Sequence, residues 1–243
     1  MPEYRSLRRH VHEPIFKRPF DFLLSGIGLV LSAPLWLIFA AWVWLEDGRP
    51  IFFRQSRIGR NGEIFRVLKF RSMVNDPGKV EVQAGKNDPR ITRAGRVLRK
   101  TAMDELPQLW NIFIGQMSFV GPRAQPEKEK VTVGNIEREI YISEVPGYEL
   151  RKLVRPGLTG VAQLYAPREV PHRHKFKYDL IYLKKVLDHA SIDSCEMNLD
   201  QTGMGRRIRL KGSALMVDLR MFFFDLGLIV QSIWITLRGR WEV

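Results

Sequence analysis

Cysteine is almost missing from this sequence of 243 residues, and Cys195 is its one example. A single cysteine excludes an internal disulfide framework and any metal site built from several cysteines. Histidine is scarce too: His172 and His174 lie close together, but no second group of metal-ligating residues accompanies them. A Walker A sequence and a G-x-G-x-x-G fingerprint are also missing, so neither phosphate-binding loop is indicated.

Acidic residues are in short supply relative to basic ones. The chain has 39 Lys and Arg against 26 Asp and Glu, a net charge of +13 and a pI near 10.1. Such an excess favours an anionic partner, either phospholipid headgroups or a phosphorylated substrate, with a solvated basic surface as the alternative. Interleaved aromatic and basic residues typical of nucleic-acid surfaces are not distinctive, and we expect no nucleic acid partner.

Four zones follow one another along the chain. We assign residues 1–19 to a basic N-terminal segment, 20–48 to a membrane helix, 49–190 to a mixed globular domain and 191–243 to a C-terminal extension. The globular zone combines short apolar runs with segments of helical spacing. The predicted fold class is therefore helix-rich α/β, with a small sheet and an N-terminal membrane helix.

Residues 20–45 form an apolar run long enough for a transmembrane helix, which needs about 20 residues. Pro34 near its middle removes a backbone hydrogen bond, and Ser32 can bond a freed carbonyl group and stabilise a bend. Basic residues flank the run on both sides, at Lys17, Arg18, Arg49, Arg54, Arg57 and Arg60. Since Lys and Arg favour the cytoplasmic side, we predict a re-entrant helix bent at Ser32-x-Pro34; a straight span with a proline kink is the alternative.

Residue patterns predict the elements of the globular zone. Strands are expected at residues 51–53 and 64–70, joined by a turn at 59–62. Helices are expected at residues 92–102, 105–114, 127–143 and 172–188. Three phenylalanines of the strand region, Phe52, Phe53 and Phe65, are expected in the core.

Two adjacent carboxylates, Asp104 and Glu105, stand between a basic run and an apolar helix. One interpretation is structural: Asp104 begins the helix as its N-cap, or Thr101 does so with capping-box spacing. The other is chemical, because a carboxylate can attack phosphorus and a pair of carboxylates can hold Mg²⁺ together with substrate phosphates. The basic run, Arg93, Arg96, Arg99 and Lys100, would suit a diphosphate. The residues by themselves leave both interpretations open.

Further cations stand where they could meet a phosphate. Gly121-Pro122-Arg123 and Arg155-Pro156-Gly157-Leu158-Thr159-Gly160 each read as a turn that carries an arginine. Lys69 and Arg71 are two residues apart on a predicted strand, so their side chains share a face. Each could equally be a solvated surface feature.

Several of these pieces, in this order, resemble the bacterial sugar transferase family, the monotopic polyprenyl-phosphate phosphoglycosyl transferases. The resemblance covers residues 15–188. The matching sequences are Lys17-Arg18-Pro19-Phe20-Asp21, Ser32-x-Pro34, Phe52-Phe53-Arg54-Gln55-x-Arg57-x-Gly59, Phe65-x-x-Leu68-Lys69-Phe70-Arg71-Ser72-Met73, Asp104-Glu105-Leu106-Pro107-Gln108-Leu109-Trp110-Asn111, Met117-Ser118-Phe119-Val120-Gly121-Pro122-Arg123 and Val154-Arg155-Pro156-Gly157-Leu158-Thr159-Gly160.

The resemblance implies a two-step reaction. Asp104 would attack a UDP-sugar and release UMP, and polyprenyl (undecaprenyl) phosphate would then take the sugar phosphate from the aspartate. Glu105 would help Asp104 hold Mg²⁺. The substrate-binding residues that we carry over are Lys69, Arg71, Arg99, Arg123, Arg155 and Gln163.

The same resemblance implies a place for the protein and a process. The membrane helix would stay in the inner leaflet of the bacterial inner membrane, against its phospholipids, with the catalytic domain on the cytoplasmic face. The reaction would be the first membrane step in building a glycoconjugate such as exopolysaccharide, capsule, O-antigen or a glycoprotein glycan. Neither the sugar, the pathway nor the oligomeric state follows from the sequence.

Three residues depart from the family pattern. Ala124 stands where a second proline is usual, Val161 where a tryptophan is common, and Gln116 where Asp is frequent. Residues 189–212 look like an insertion. The apolar segment 213–237 is either an amphipathic helix on the membrane, a homodimer contact or core packing.

Two rival functions stay open. A non-catalytic protein could use the basic surface to bind anionic lipid. A metal-dependent hydrolase could act on nucleotide sugars without lipid.

Overall fold

The computed structural model describes residues 13–74, 88–133, 136–145, 147–166, 172–190 and 214–238. The basic residues before position 13 and the predicted insertion at 189–212, apart from its first two residues, lie outside this part. The helices are α1 Lys17–Asp47, α2 Arg93–Lys100, α3 Gln108–Phe113, α4 Tyr148–Arg151, α5 Val161–Tyr165, α6 His172–Ala190 and α7 Ala214–Leu237. The strands are β1 Phe52–Ile58, β2 Ile64–Phe70, β3 Ser118–Val120, β4 Lys128–Val133, β5 Ile136–Tyr141 and β6 Gly157–Thr159.

The apolar run forms one helix, α1, which begins at Lys17, three residues earlier than predicted, and ends at Asp47. It is helical throughout, Pro34 included, and so runs without interruption through the position of the predicted bend. Near Pro34, Ser32 Oγ accepts a hydrogen bond from Trp36 Nε1 at 3.1 Å and lies 3.5 Å from the Leu29 carbonyl oxygen. In the described residues, α1 and the stretch Asp218–Leu237 of α7 are long and apolar enough to cross a membrane.

The N-terminal end of α1 is attached to the globular domain. Lys17 Nζ donates to the Val120 carbonyl oxygen at 3.0 Å. Arg18 donates to the carbonyl oxygens of Ile112 at 2.8 Å and Phe113 at 2.6 Å. A cation on those last carbonyl groups stabilises the C-terminal end of α3.

The C-terminal end of α1 is attached to the same domain. Glu46 accepts hydrogen bonds from the backbone N–H groups of Arg93 at 2.6 Å and Ala94 at 2.7 Å, and so caps α2. Val43 is buried against Ala94 and Leu98. Between these ends one side of the helix is exposed, with Val30 and Leu37 about three quarters accessible, while Ser25 and Ser32 are buried. Both ends of one apolar helix therefore rest on one domain.

The strand prediction for residues 51–53 and 64–70 is confirmed, although β1 is longer than expected. β1 and β2 pair antiparallel, with Phe52 opposite Phe70 and Phe53 opposite Lys69. Phe65 is buried as expected, and Phe52 is half-buried against Phe70. The prediction for Phe53 is wrong: its side chain is 37% exposed, on the face that also carries Lys69.

The predicted helix at residues 127–143 is wrong. The chain forms the antiparallel hairpin β4–β5 there, with Val133 opposite Ile136 and Lys128 opposite Tyr141. The charged residues suggested helical spacing, but Val131-x-Val133 alternates with period two, and a Gly-Asn pair stands between the strands in the sequence. Such a pair between β-branched residues is typical of a two-residue hairpin.

The centre of the domain is the parallel pair β3–β6, in which Ser118 is opposite Gly157 and Val120 opposite Thr159. The two chains approach so closely that a Cβ on Gly157 would lie 2.1 Å from the Gly121 backbone nitrogen. Only glycine permits this contact. Around it lies the main core, built from β2, β3, α3, α6 and α7.

The helix predicted at residues 172–188 is confirmed as α6, and α7 packs beside it. Met221, Leu228 and Ile229 of α7 are buried in the main core with Tyr182 and Val186 of α6. One face of the C-terminal segment is therefore core packing, one of its three predicted roles. The described residues form three two-stranded sheets where one small sheet was expected.

Candidate functional site

Asp104 and Glu105 lie in a short 3-10 turn, Met103–Glu105, between α2 and α3. Both capping predictions are wrong. Helix α3 begins at Gln108 after Pro107 and has no side-chain cap, and the Thr101 hydroxyl donates to the Val97 carbonyl oxygen at 2.8 Å, at the end of α2. The turn follows Ala102, whose φ of +56° is in the left-handed region that costs energy for a side chain. The two carboxylates are thus not needed to begin a helix.

Glu105 is bound by a cation and an amide. Lys69 Nζ lies 2.5 Å from Glu105 Oε1, and the Gln108 side chain is also hydrogen-bonded to the carboxylate. Burial by itself would raise the pKa of Glu105, but the charges of Lys69 and Arg123 outweigh it and lower that pKa to about 2. Glu105 is therefore a permanent anion at neutral pH.

The pKa of Asp104 is shifted in the opposite direction, upward. Burial, and next the negative charge of Glu105, raise the pKa of Asp104 to about 6, although the charges of Lys69 and Arg99 oppose the shift. A carboxyl group with that pKa is still mostly ionised at pH 7, and it is more basic than an ordinary aspartate. Adjacent carboxylates with opposite pKa shifts are typical of sites that divide two chemical tasks.

Arg99 is positioned by the close approach of α2 to the end of β2. Its Nε donates to Ser72 Oγ at 2.9 Å. A Cβ on Gly95 would lie 1.9 Å from the Ser72 carbonyl oxygen, so α2 can lie this close only with glycine at that position. Thr92 Oγ1 accepts from the Gly95 N–H at 2.9 Å and begins the helix.

Arg123 is presented by its turn as the sequence predicts. The turn is attached to β6 through a bridge between Arg123 and Gly157, and Arg151 donates to the Arg123 carbonyl oxygen at 2.8 Å. The Arg123 side chain is exposed, and its charge acts on Glu105. Lys69, Arg99 and Arg123 are thus the predicted cations that the fold brings to the carboxylate pair.

Arg71 makes its contacts away from the carboxylate pair. Its side chain is 5% exposed and binds the end of α1, through Asp47 Oδ2 at 3.0 Å and the Asp47 and Gly48 carbonyl oxygens at 2.7 and 3.0 Å. Lys69 therefore contacts Glu105, whereas Arg71, the first residue after β2, contacts the end of α1. A substrate role for Arg71 stays a prediction.

Arg155 and Gln163 are also held by other parts of the fold. Arg155 Nε donates to the Gly115 carbonyl oxygen at 2.9 Å, and its Nη1 pairs with Glu13. Gln163 on α5 has both amide atoms buried without a hydrogen-bond partner in the described part of the chain. Their substrate roles likewise stay predictions.

The departures from the family pattern fall at structural positions. Val161 is buried in the main core, so the side chain at that position packs inward. Ala124 is packed partly against the same core. Gln116 is exposed and accepts a hydrogen bond from Asn111 Nδ2 at 2.8 Å.

Sequence reasoning gave no role to two residues that build the site. Asn111 is buried and ties α3 to β2, accepting from the Leu68 N–H at 3.0 Å and donating to the Arg66 carbonyl oxygen at 2.9 Å. Gln108 binds Glu105 from three residues further along the chain. The spacing between Glu105 and Gln108 could have predicted this contact, because residues three apart share a helical face.

The donor set at the carboxylate pair fits a hard divalent cation. Among the described residues, no group of three or more His, Cys, Asp or Glu side chains could hold a metal ion. Mg²⁺ does not need one, since it is commonly bound by one or two carboxylates with water and substrate phosphate oxygens completing its shell. Asp104 and Glu105 supply such a pair.

An open groove of about 570 Å³ lies between the end of α1 and β1. Its cationic residues are Arg49, Arg54 and Arg71, and its apolar residues are Pro50, Ile51, Phe52 and Phe53. Phe53, in the lining of the groove, is paired across the hairpin with Lys69, the residue that contacts Glu105.

Comparison with known proteins identifies related sequences. The family described as Bacterial sugar transferase matches residues 12–193, more than half of the chain. The UDP-glucose:undecaprenyl-phosphate glucose-1-phosphate transferase of Klebsiella pneumoniae is 40% identical over 177 residues, which cover 70% of this chain and 36% of that protein. The exopolysaccharide production protein PSS of Rhizobium leguminosarum bv. phaseoli is 41% identical over 176 residues, covering 70% of this chain and 86% of that protein.

A third relative differs in the sugar that its name specifies. The UDP-N-acetylgalactosamine-undecaprenyl-phosphate N-acetylgalactosaminephosphotransferase of Aeromonas hydrophila is 39% identical over 191 residues, covering 72% of this chain and 43% of that protein. The chain thus spans less than half of two of these relatives and most of the third.

Proposed function

Because the chain belongs to the bacterial sugar transferase family, we propose that it transfers a sugar 1-phosphate from a UDP-sugar to polyprenyl phosphate, which yields polyprenyl-diphospho-sugar and UMP. The observation that carries the proposal is the carboxylate pair with opposite pKa shifts, Asp104 near 6 and Glu105 near 2, surrounded by Lys69, Arg99 and Arg123. A site with two anions and three cations suits a substrate that itself carries two phosphates.

In the first step, an Asp104 carboxylate oxygen attacks the β-phosphorus of the UDP-sugar. The bond between that phosphorus and the bridging oxygen breaks, and its electron pair leaves with UMP. Asp104 is suited to this task because it is ionised at pH 7 and, with its raised pKa, more basic than an ordinary aspartate. Lys69, Arg99 and Arg123 offset the repulsion between the carboxylate and the diphosphate.

In the second step, an oxygen of polyprenyl phosphate attacks the phosphorus bound to Asp104. The bond from phosphorus to the aspartate oxygen breaks and the carboxylate is regenerated. We place the acceptor phosphate in the groove beside Arg54, since Arg49 in its lining follows the end of α1 and Phe53 in its lining is paired with Lys69. Its apolar residues would contact the first isoprene units.

Asp104 and Glu105 would hold Mg²⁺, which supplies charge neutralisation at the phosphate oxygens when bound. Glu105 keeps its negative charge through Lys69 and Gln108, whose contacts also fix the orientation of its carboxylate. The protein thus prepares an ionised donor pair before substrate arrives.

We propose further that α1 enters and leaves the cytoplasmic membrane by its cytoplasmic face. Attachment of both ends of α1 to one domain supports this placement, through Lys17 and Arg18 at one end and Glu46 at the other. The basic residues on both flanks support the same face. The exposed face of the helix would lie against the lipids of the inner leaflet.

A direct test incubates the purified protein in lipid nanodiscs with Mg²⁺, undecaprenyl phosphate and one UDP-sugar at a time, and measures UMP release. We expect release with at least one UDP-sugar, and radiolabelled sugar phosphate in the lipid fraction. No release with any of UDP-glucose, UDP-galactose and their N-acetyl derivatives would contradict the proposal. Continued turnover without lipid would instead indicate a nucleotide-sugar hydrolase.

A further inference from the structure

A buried lysine contacts the last residue of β3. The Lys17 Nζ group donates to the Val120 carbonyl oxygen at 3.0 Å and lies 2.6 Å from Asp225 Oδ2, with both side chains buried. The Tyr182 hydroxyl donates to the same carbonyl oxygen at 3.2 Å. Three helices therefore meet at Val120: α1 supplies the lysine, α6 the tyrosine, and α7 the carboxylate that balances the charge of the lysine.

Val120 is followed directly by the turn Gly121-Pro122-Arg123, whose arginine charge acts on Glu105. We refer to these three residues as the Arg123 turn. On one side the turn is attached to β6, because the Gly121 N–H donates to the Thr159 carbonyl oxygen at 3.0 Å. On the other side it continues from the Val120 carbonyl group that Lys17 holds. The position of the arginine therefore depends on both attachments.

Asp225 is in direct contact with Lys17. The charge of Asp21, one turn further along α1, also acts on this lysine, but Asp21 Oδ1 accepts from the Phe119 N–H at 3.1 Å. Removing one partner of a buried ion pair is strongly destabilising, because it leaves the other charge without compensation. A Lys17 that lost the charge of Asp225 would thus no longer be held at the Val120 carbonyl group.

From these contacts we propose that Asp225 is a positioning residue for the transfer reaction: by neutralising Lys17 it fixes the Val120 carbonyl group, and thereby holds the Arg123 turn at the carboxylate pair. Asp225 acts through Lys17 and the turn, not by touching the substrate. It lies on α7, beyond residues 12–193 that the family match covers. The inference rests on the proposed function, in which Arg123 offsets the charge of the donor diphosphate.

The test is a double-substitution cycle that measures kcat/KM for the UDP-sugar by UMP release in nanodiscs. Asp225→Asn is made in three backgrounds: the parent protein, Arg123→Ala and Arg99→Ala. We expect Asp225→Asn to lower kcat/KM about ten-fold in the parent and in Arg99→Ala, but less than about two-fold in Arg123→Ala, because substitutions that act through one path are not additive. Formation of the phosphosugar adduct in a single turnover gives the same comparison for the slowest variants.

The matched control is Asp218→Asn, seven residues earlier on the same side of α7. Asp218 is as buried as Asp225, and its Oδ1 accepts from the Ile15 N–H at 3.1 Å, a hydrogen bond that an asparagine oxygen can keep. We expect kcat/KM to stay within about two-fold of the parent value, since one retained hydrogen bond changes the energy little. This control separates the role of Asp225 from the general effect of a carboxylate-to-amide change on the buried face.

A second variant replaces the whole ion pair, and it keeps the test decisive if Asp225→Asn does not fold. Lys17→Met with Asp225→Leu puts apolar side chains in place of both charges, a change that buried ion pairs often tolerate without loss of stability. The Val120 carbonyl group loses its ammonium donor in this variant. We therefore expect thermal unfolding near that of the parent, with kcat/KM still lowered about ten-fold.

Three results would overturn the inference. Equal losses in all three backgrounds would show that Asp225 contributes to general stability only. An unchanged kcat/KM in Asp225→Asn, or full activity in the variant without the ion pair, would show that the lysine does not hold the Arg123 turn. If the parent protein itself releases no UMP, the proposed function fails instead, so the two failures are distinguishable.

Discussion

Asp104 and Glu105 are adjacent in the chain, yet their surroundings move their pKa values apart. Glu105 is in contact with Lys69 and feels the charge of Arg123, so its negative charge is stabilised. Asp104 is partly buried, and its pKa is affected by the charge of Glu105 more strongly than by that of Lys69 or Arg99. The two carboxylates therefore differ. Glu105 is a permanent anion, which suits a metal partner, and Asp104 is more basic, which suits a nucleophile.

The role of Asp104 is tested by Asp104→Asn, which keeps the shape of the side chain and removes its nucleophilic charge. With a UDP-sugar and Mg²⁺ but no lipid, we expect the parent protein to gain the mass of a phosphosugar and the variant to gain none. UMP release should fall by about six orders of magnitude, the scale found when a covalent nucleophile is removed. Intact mass spectrometry measures the adduct.

The matched control is Glu149→Gln, another acid-to-amide change, at a partly exposed ion pair with Lys152 at 2.6 Å. It should keep both the adduct and the turnover, because an exposed ion pair contributes little. An adduct that persists in Asp104→Asn would assign the nucleophile to another residue.

Arg54 tests the position of the acceptor at the same scale. We expect Arg54→Ala to raise the KM for polyprenyl phosphate by about ten-fold, the effect of losing one charge-assisted contact to phosphate. The adduct formed without lipid should be unchanged, because Arg54 lines the groove and not the carboxylate pair. Arg66→Ala on the same hairpin, exposed and outside the groove, is the control and should change neither. Equal effects of the two substitutions would place the acceptor elsewhere.

At the scale of elements, helix α2 is held from three directions so that Arg99 reaches the site. Glu46 of α1 caps its beginning from outside, Thr92 caps it from within, and Gly95 allows it to touch Ser72. The apolar helix α1 therefore contributes to the geometry around the carboxylate pair, because its last turn positions the helix that carries Arg99.

Gly95→Ala tests this packing. The added Cβ would lie 1.9 Å from the Ser72 carbonyl oxygen, a backbone atom that moves only with β2. We expect the free energy of unfolding to fall by about 2 kcal/mol or more and UMP release to fall with it. Thermal or denaturant unfolding in nanodiscs measures the first, and the turnover assay measures the second.

Gly227→Ala is the matched control on α7, where an added Cβ would have no neighbour within 4 Å. We expect it to stabilise the protein by up to about 1 kcal/mol, since alanine loses less backbone entropy than glycine in a helix. If Gly95→Ala were as harmless as this control, α2 would not be packed as described.

At the scale of the whole molecule, two apolar helices and a net charge of +13 both fit the proposed placement at a membrane. Both ends of α1 rest on the domain, so the domain and the flanking cations would lie at one face of the membrane. Under the proposed function, a domain placed there would hold a soluble nucleotide sugar and a lipid acceptor within reach of the same carboxylate pair.

The topology is tested with two single cysteines in the Cys195→Ser background, Ile15→Cys before α1 and Arg49→Cys after it, both at exposed positions. A maleimide that cannot cross membranes should label both in inverted inner-membrane vesicles and neither in intact spheroplasts. A straight span would label one in each preparation. That outcome would refute the re-entrant placement while leaving the proposed chemistry standing.

The sequence by itself determined the features that depend on local pattern. The apolar run, the β1–β2 hairpin, α6, and the carboxylate pair with Lys69, Arg99 and Arg123 were all predicted, because side-chain periodicity and linked motifs are visible in one dimension. The β4–β5 hairpin was missed because spaced charges resemble a helical surface, while the alternation of Val131 and Val133 is short.

Only the tertiary structure decided which side chains meet. Arg71 and Arg155, whose substrate roles stay predictions, contact Asp47 and Glu13, partners that their own motifs do not indicate. Gln108 and Asn111 acquired roles through contacts with Glu105 and β2. The opposite pKa shifts of two neighbouring carboxylates arise from burial and from charges brought by other elements, and no sequence spacing specifies these. The physical reason is that electrostatic energy depends on distances in space.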